Sequence, residues 1–253
     1  MQDLIATALA SFAILSTGSA HGPEITLTAP GGIRTALQRL IPLFEAAGGP
    51  KVAASFMSGA AAKAKIVAGE MVDVPVVQPP YENVIASGNV IRESETPLAT
   101  VSVVAAVAAG RPAPDIATAE GLRRLLLEAR SIACPSAARG AACGVSFEAT
   151  LDKLNIAKEV APKMTVAPTG WEAIKMLARG EVELGITFMS EMDPDPRVQL
   201  LGPLPRAVSM PTGFVAFLHA RSKDQKEAAA LIRFLASAEA ATIFRECGMT
   251  PGK

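Results

Sequence analysis

Apolar positions along the chain follow two alternating periods. Glu24 to Ala29 (EITLTA) is a run of apolar and β-branched residues that reads as a strand, and Pro30-Gly31-Gly32 breaks it. Leu37, Leu40, Ile41 and Phe44 then recur at i, i+3, i+4 and i+7, the spacing of one buried helix face, which Gly48-Gly49-Pro50 ends. Val52 to Phe56 predicts a second strand. Ser58-Gly59 opens a second helix with Ala64, Ile66 and Val67 available for packing. Val72 to Val77 predicts a third strand, and Pro79-Pro80 starts a short helix toward Ser87. Alternation of this kind gives a parallel sheet with helices on its faces.

A second series follows. Leu98 to Ala109 is a long β-like apolar segment, followed by the Gly/Pro-rich stretch Gly110 to Pro114. Leu122, Leu125, Leu126 and Ala129 mark a helix, Ser131 to Cys134 a short strand, and Pro135 to Gly144 a loop of small residues. Phe147, Leu151 and Leu154 share a helix face within Val145 to Leu154. Lys163 to Ala167 is a strand, Trp171, Ile174, Leu177 and Ala178 a helix closed by Gly180, and Glu183 to Phe188 a further strand. Gly213 to His219 reads as a return strand, and Ala228, Leu231, Ile232 and Leu235 begin a helical tail expected to pack on the first half. The expected organisation is two α/β lobes, residues 21–100 with 208–253 and residues 101–207. The chain crosses between them near 98–102 and 206–212, and two such crossings make a hinge.

Composition narrows the function classes. Half of the 253 residues are hydrophobic and 19% are charged, which suits a globular chain with a sizeable core. Lys and Arg total 24 and so do Asp and Glu, so no basic excess exists to neutralise a nucleic-acid backbone. No run of about 20 apolar residues follows the N-terminus, so no membrane insertion of the body is expected. Leu4 to Leu15 has the length of a signal-peptide apolar region, and Ser16 to Ala20 a small-residue cleavage site, although Met1-Gln2-Asp3 carries an acid where a basic residue is usual. Removal of residues 1–20 is the expectation, with the mature chain starting near His21. Cys134 and Cys143 flank the small-residue loop and either pair in an oxidising compartment or remain, with Cys247, buried thiols. The two histidines, His21 and His219, leave almost no material for a zinc site or a histidine-based triad, so no metal or cofactor is expected.

Candidate chemistry lies where strands lead into helices. In open parallel sheets ligands bind at the carboxyl ends of the strands. Four such loops are rich in small and hydroxyl residues: Pro30-Gly31-Gly32, Ser58-Gly59, the 135–144 loop with Ser136, Arg139 and Gly140, and Thr169-Gly170. Small residues let backbone N–H groups approach a ligand, and helix N-termini add free donors and partial positive charge, so the four loops together predict an anion site. The same residues also serve as ordinary turns and N-caps. Arg139 is placed to clamp a carboxylate bidentately. Ser190 and Glu191 follow a strand end; Glu191 is the one acid beside a loop, read as a ligand-hydroxyl acceptor, a base or a plain surface acid. Arg34 and Lys63 lie one turn inside their helices, where solvent is the commoner environment. Trp171 reads as packing at a helix N-terminus, and Tyr81 as flanking the cleft or capping a core. Pro30-Gly31-Gly32 lacks the spacing of a dinucleotide-binding turn.

The opening segments TAPGGIRTALQRLIPLFEAAGG and ASFMSGAAAKAKIVAGEMVDVPVV resemble the start of molybdate-type periplasmic binding proteins. The pieces ARGEVELGITFMSEM and ALIRFLASAEAATIFRECGMTPGK resemble the broader substrate-binding branch of that family, which also resembles aconitate isomerase, so the resemblance leaves open an isomerase acting on a small tricarboxylate. The resemblance covers nearly everything after residue 23. It implies a type II periplasmic-binding-protein fold, closing on a small anion, an oxyanion or a di- or tricarboxylate. The implied setting is a monomer in the periplasm with an ABC permease as partner. It puts Gly31, Gly32, Ser58, Gly59, the 135–144 loop, Thr169 and Gly170 around the cleft. Where molybdate binders carry a Tyr followed by Ser-Asp, this chain has Phe188-Met189-Ser190-Glu191, so the phenolic donor is absent and the ligand is expected to differ.

Overall fold

The structure, a computed structural model, describes residues 24–110 and 113–252. The segment expected to be removed, 1–20, lies outside them. In chain order the elements are β1 (Ile25–Pro30), α1 (Arg34–Ala46), β2 (Val52–Met57), α2 (Gly59–Val67), β3 (Val74–Val77), α3 (Glu82–Ala86) and β4 (Val90–Val101). Next come β5 (Val103–Ala108), α4 (Ala119–Glu128), β6 (Ile132–Pro135), α5 (Ala142–Lys153), α6 (Ala157–Val160), β7 (Met164–Ala167), α7 (Gly170–Ala178), β8 (Leu184–Phe188) and β9 (Val198–Pro203). The chain closes with β10 (Thr212–His219), α8 (Gln225–Leu235), α9 (Ala238–Glu246) and β11 (Thr250–Pro251).

These elements build two sheets, in the orders β11-β4-β10-β3-β1-β2 and β7-β6-β8-β5-β9. Each has a parallel heart, β1 with β2 and β3 in one and β6 with β7 and β8 in the other. Antiparallel strands complete each sheet: β4, β10 and β11 in the first, β5 and β9 in the second. The fold is thus α/β, two lobes with helices flanking both sheets. A single residue, Ser102, separates β4 in the first sheet from β5 in the second, and the chain returns between β9 and β10.

The apolar faces behave as their spacing requires. Leu37, Leu40, Ile41 and Phe44 of α1, Phe147 and Leu151 of α5 with Leu154 just beyond it, and Ala228, Leu231, Ile232 and Leu235 of α8 are all buried. Each such large side chain contributes about 1.5–3 kcal/mol through its removal from water. On α2 the buried face is Ala62 and Ile66; Ala64 and Val67 point to solvent, because only i and i+4 share the sheet-facing side. The tail packs on α1: Phe234 of α8 meets Phe44 with ring centroids 5.5 Å apart, and Glu246 of α9 pairs with Arg39. Several elements were not anticipated. The first half of β4 is rich in polar residues and Pro97 lies in its second half, β9 is an edge strand paired to β5 alone, and the short α6 and β11 are new as well.

The lobes share one core at their junction. Phe188 from the end of β8 stands edge-on to Phe214 of β10, ring centroids 6.4 Å apart. Away from the junction, Asp73 ties the first sheet together. Its carboxylate accepts from the Thr26 N–H (2.9 Å), the Thr26 hydroxyl (2.6 Å) and the Ser222 hydroxyl (2.7 Å). Burial pushes this carboxyl up, but the hydrogen bonds together outweigh it and hold it below its ordinary range.

Candidate functional site

A cavity of about 220 Å³ lies between the lobes, at the carboxyl ends of β1, β2, β6 and β8. Four helix starts converge on it. Pro30, Gly31 and Gly32 end β1 and form the tight turn that leads into α1, whose first residue is Arg34. Ser58 and Gly59 open α2. Ala141, Ala142 and Cys143 open α5. Thr169, Gly170 and Trp171 open α7. The first N–H groups of a helix have no partner within it, and the helix dipole adds partial positive charge there, so a cavity facing four such ends is suited to negative charge.

Two of the hydroxyls hold their helices. Ser58 Oγ accepts from the Ala61 N–H and Thr169 Oγ1 from the Glu172 N–H, each at 3.2 Å. As caps they spend acceptor capacity and keep an O–H to donate.

Arg34 and Glu191 are the charged side chains of the wall. The Arg34 guanidinium lies 5.2 Å from the Phe56 ring centroid and 5.8 Å from that of Trp171, so it spans the cleft from one lobe toward the other. Its Nε is buried and has no hydrogen-bond partner, and among the described residues no acid pairs with it. Glu191 is 6% exposed, in the tight turn Met189–Glu191 after β8. Burial raises its carboxyl to about 7, against the opposing pull of the Phe188 backbone, the Thr187 hydroxyl at 3.5 Å and the Arg34 charge. Gly170 makes room for that carboxyl. A Cβ there would stand 2.8 Å from Glu191 Cδ and would overlap the carboxylate and the Thr187 hydroxyl.

Pro30, Gly31, Gly32, Ser58, Gly59, Thr169, Gly170 and Glu191 line this cavity together, and Glu191 is buried there, unlike the surface acid that is one of its readings. The 135–144 loop contributes differently from expectation. Arg139 is exposed and Ser136 is turned inward on its own loop, accepting the Arg139 N–H at 3.3 Å. The cause is a tight turn: the Gly140 N–H returns to the Ala137 carbonyl at 2.7 Å, and Gly140 sits at φ +73°, throwing the Arg139 side chain outward. Gly140 instead crosses to the first lobe, its carbonyl accepting the Ala60 N–H at 3.3 Å. Ala60 and Gly140 line a second cavity of about 370 Å³, with Lys63 and Lys153 also on its wall. Ser190 is buried with its hydroxyl bonded to the first lobe, away from the cavity wall.

Arg34, Trp171, Phe188 and Cys143 also stand on the wall, where the sequence alone reads Arg34 as more often in solvent and Trp171 as packing at a helix N-terminus. The signal for Arg34 was the Pro-Gly-Gly turn, which uses up one helical turn before α1 and leaves Arg34 at the helix start. Cys143 enters because α5 begins at Ala142 and not at Val145. Cys134, Cys143 and Cys247 are all free, buried thiols, so the alternative of three thiols describes the structure; burial and the neighbouring Cys134 push the Cys143 thiol well up. Lys63 donates to the Pro80 carbonyl at 2.7 Å, and Tyr81 donates to Glu95 Oε1 at 2.6 Å.

Comparison with known proteins agrees with this architecture. A family profile described as bacterial extracellular solute-binding protein matches residues 25–250. An aconitate isomerase from a Pseudomonas species is 30% identical over 235 residues, covering 90% of this chain and 87% of that protein. The periplasmic molybdate-binding protein of Azotobacter vinelandii superposes with a TM-score of 0.74 at 17% identity, covering 90% of this chain and all of that one. The sulfate-binding protein SubI of Mycobacterium tuberculosis gives 0.71 at 20% identity, covering 91% of this chain and 87% of that one. These last two likenesses carry the fold, and the profile match across nearly the whole described chain carries the kinship: the protein belongs to the bacterial extracellular solute-binding protein family.

Proposed function

We propose that the protein is the solute-capturing component of an ABC-type importer and closes its lobes on a small anion, a carboxylate or an oxyanion, held between them. One observation carries this reading. Four helix N-termini and an Arg34 guanidinium without an ion-pair partner face a single inter-lobe cavity of about 220 Å³. Pockets for drug-sized ligands run to about 300–1,000 Å³, so the cavity suits a compact solute. The lobes in this reading are residues 21–100 with 208–253 and residues 101–207, hinged at Ser102 and at the return before β10. Gly31, Gly32, Ser58, Gly59, Thr169 and Gly170 supply backbone and hydroxyl donors, Pro30 shapes the turn before α1, and Arg34 supplies the charge. Kinship with extracellular solute-binding proteins supports a periplasmic monomer that delivers to a permease.

Titration calorimetry with malate, citrate, succinate, phosphate, sulfate and molybdate tests it. At least one anion is expected to bind, and Arg34→Ala is expected to weaken it by about ten- to a hundredfold, the worth of a charge-assisted hydrogen bond. Silence from every anion, with stabilisation by neutral solutes instead, overturns the reading.

A second reading is isomerisation of a small tricarboxylate, favoured by Glu191. It is a buried carboxyl on the cavity wall, poised near 7, where a general base works best. The 30% identical aconitate isomerase supports the same reaction class. Glu191 would remove a methylene proton from the bound acid, and return of that proton to the former vinyl carbon would shift the double bond. Proton NMR of trans-aconitate with the protein decides this: appearance of the cis isomer, abolished in Glu191→Gln, supports it, and unchanged trans-aconitate removes it.

A further inference from the structure

We infer that the cleft selects for anions that carry a hydrogen-bond donor, a hydroxy-carboxylate above all, because Arg34 and Glu191 face one cavity without forming an ion pair with each other. The inference rests on the anion-binding reading and deepens it.

A cation and an acid sharing a small cavity ordinarily pair and cancel. Here no ion pair joins them, although both line the same wall. Arg34 is held instead between the Phe56 and Trp171 rings, and Glu191 is anchored beside Thr187 under Gly170. The two charges are therefore both presented to the ligand. Arg34 and the helix ends ask for acceptors. Glu191, when ionised, can only accept, and so asks for a donor.

The carboxylate also acts against unsuitable ligands. A fully ionised oxyanion such as sulfate or molybdate would bring acceptor oxygens against acceptor oxygens in a desolvated site. Like charges in such a setting repel, and neither side has a proton to place between them. A hydroxy acid resolves the conflict. Its carboxylate meets Arg34 and the starts of α1 and α7, and its hydroxyl donates to Glu191. Gly31 and Gly170 stand on either side of that carboxyl: a Cβ on Gly31 would lie 3.7 Å from Glu191 Oε1, and one on Gly170 would overlap Oε2. The carboxyl thus already occupies part of the space at two helix starts where a bare oxyanion would otherwise sit.

The test is titration calorimetry at about pH 8.5, where Glu191 is ionised and the buried Cys143 thiol keeps its proton. Matched pairs isolate the hydroxyl: malate against succinate, and citrate against tricarballylate. The intact protein is expected to prefer the hydroxy acid of each pair by at least about tenfold, since a site built around a ligand hydroxyl leaves its own group unpaired with the analogue. Sulfate and molybdate are expected to give no heat. Glu191→Gln, whose amide can donate as well as accept, is expected to shrink the preference to within about threefold and to admit sulfate. Equal binding of malate and succinate by the intact protein overturns the inference while leaving the anion reading in place. So does strong sulfate binding, or a preference that survives in Glu191→Gln. Failure of every anion overturns both readings together. The comparison within the intact protein decides the matter even if the variant fails to fold.

Discussion

The Ser190 hydroxyl donates to the Gly32 carbonyl at 2.6 Å, from the turn after β8 in the second lobe to the turn before α1 in the first. The Thr35 hydroxyl answers in the opposite direction, donating to the Ser190 carbonyl at 3.1 Å. One residue therefore stitches the lobes in both senses beside the cavity. Ser190→Ala removes a buried donor and strands the Gly32 carbonyl, which costs about 1–3 kcal/mol. Thermal unfolding should show a fall of several degrees for a protein of this size. An unchanged midpoint would mean that water replaces the hydroxyl without penalty.

Gly170 is required by its neighbours. Gly170→Ala would drive a methyl into the Glu191 carboxyl and the Thr187 hydroxyl. Overpacking of this kind costs about 1–3 kcal/mol, and the displaced carboxyl would project into the cavity. The expected outcome is a folded protein whose affinity for its best anion, measured by calorimetry, drops more than about tenfold. Full affinity in Gly170→Ala would place the ligand away from α7.

Glu191 gives stability a pH dependence of defined sign. Its ordinary value of 4.5 is raised to about 7 by burial, so between those values the folded protein holds a proton that the unfolded chain has released. Stability without ligand should therefore fall as pH rises through that window and level off above it, by roughly 3 kcal/mol in all at 1.36 kcal/mol per unit. Arg34 from α1 opposes the shift, and the Cys143 thiol from α5 is itself held protonated by burial. Urea unfolding of the intact protein and of Glu191→Gln from about pH 4.5 to 8 reads the difference: the slope should be lost in the variant.

The Ala60–Gly140 bridge is expected to latch the cleft. A Cβ on Gly140 would overlap that of Ala60 and stand 3.2 Å from its Cα, so the two backbones meet with no room to spare. Ala60→Leu keeps Gly140 in its left-handed conformation but wedges the lobes apart there. Its affinity should fall while its unfolding midpoint without ligand stays within about a degree, because Ala60 is solvent-exposed. Loss of midpoint without loss of affinity would make the contact a matter of stability alone.

Much of this architecture was legible in the residues themselves. The 3.6-residue faces of α1, α5 and α8 and the caps Ser58 and Thr169 follow from local rules that tertiary packing reinforced. What escaped followed from longer-range terms. The first half of β4 lines up Arg92, Glu93 and Glu95 and reads as a loop until β10 is present to pair with it, through a ladder interrupted by bulges. Arg139 looked like a clamp because a cation in a loop of small residues has nowhere else to be useful. The positive φ of Gly140, which turns it outward, is fixed by the crossing to Ala60. Arg34 looked solvated because its aromatic neighbours come from β2 and from the opposite lobe. Local pattern sets the elements; contacts between lobes set which charges face the ligand.

Trp171, at the first turn of α7, is the single tryptophan of the sequence. Its position on the cavity wall beside Arg34 gives the protein a built-in optical reporter. Ultraviolet emission excited at the red edge arises from this one indole, without contributions from elsewhere to subtract. A solute that displaces water from the wall or draws the guanidinium off the ring would change that emission directly. A soluble quencher such as iodide would lose its access as the lobes shut. Occupancy and closure thus become two separately readable signals from unlabelled protein.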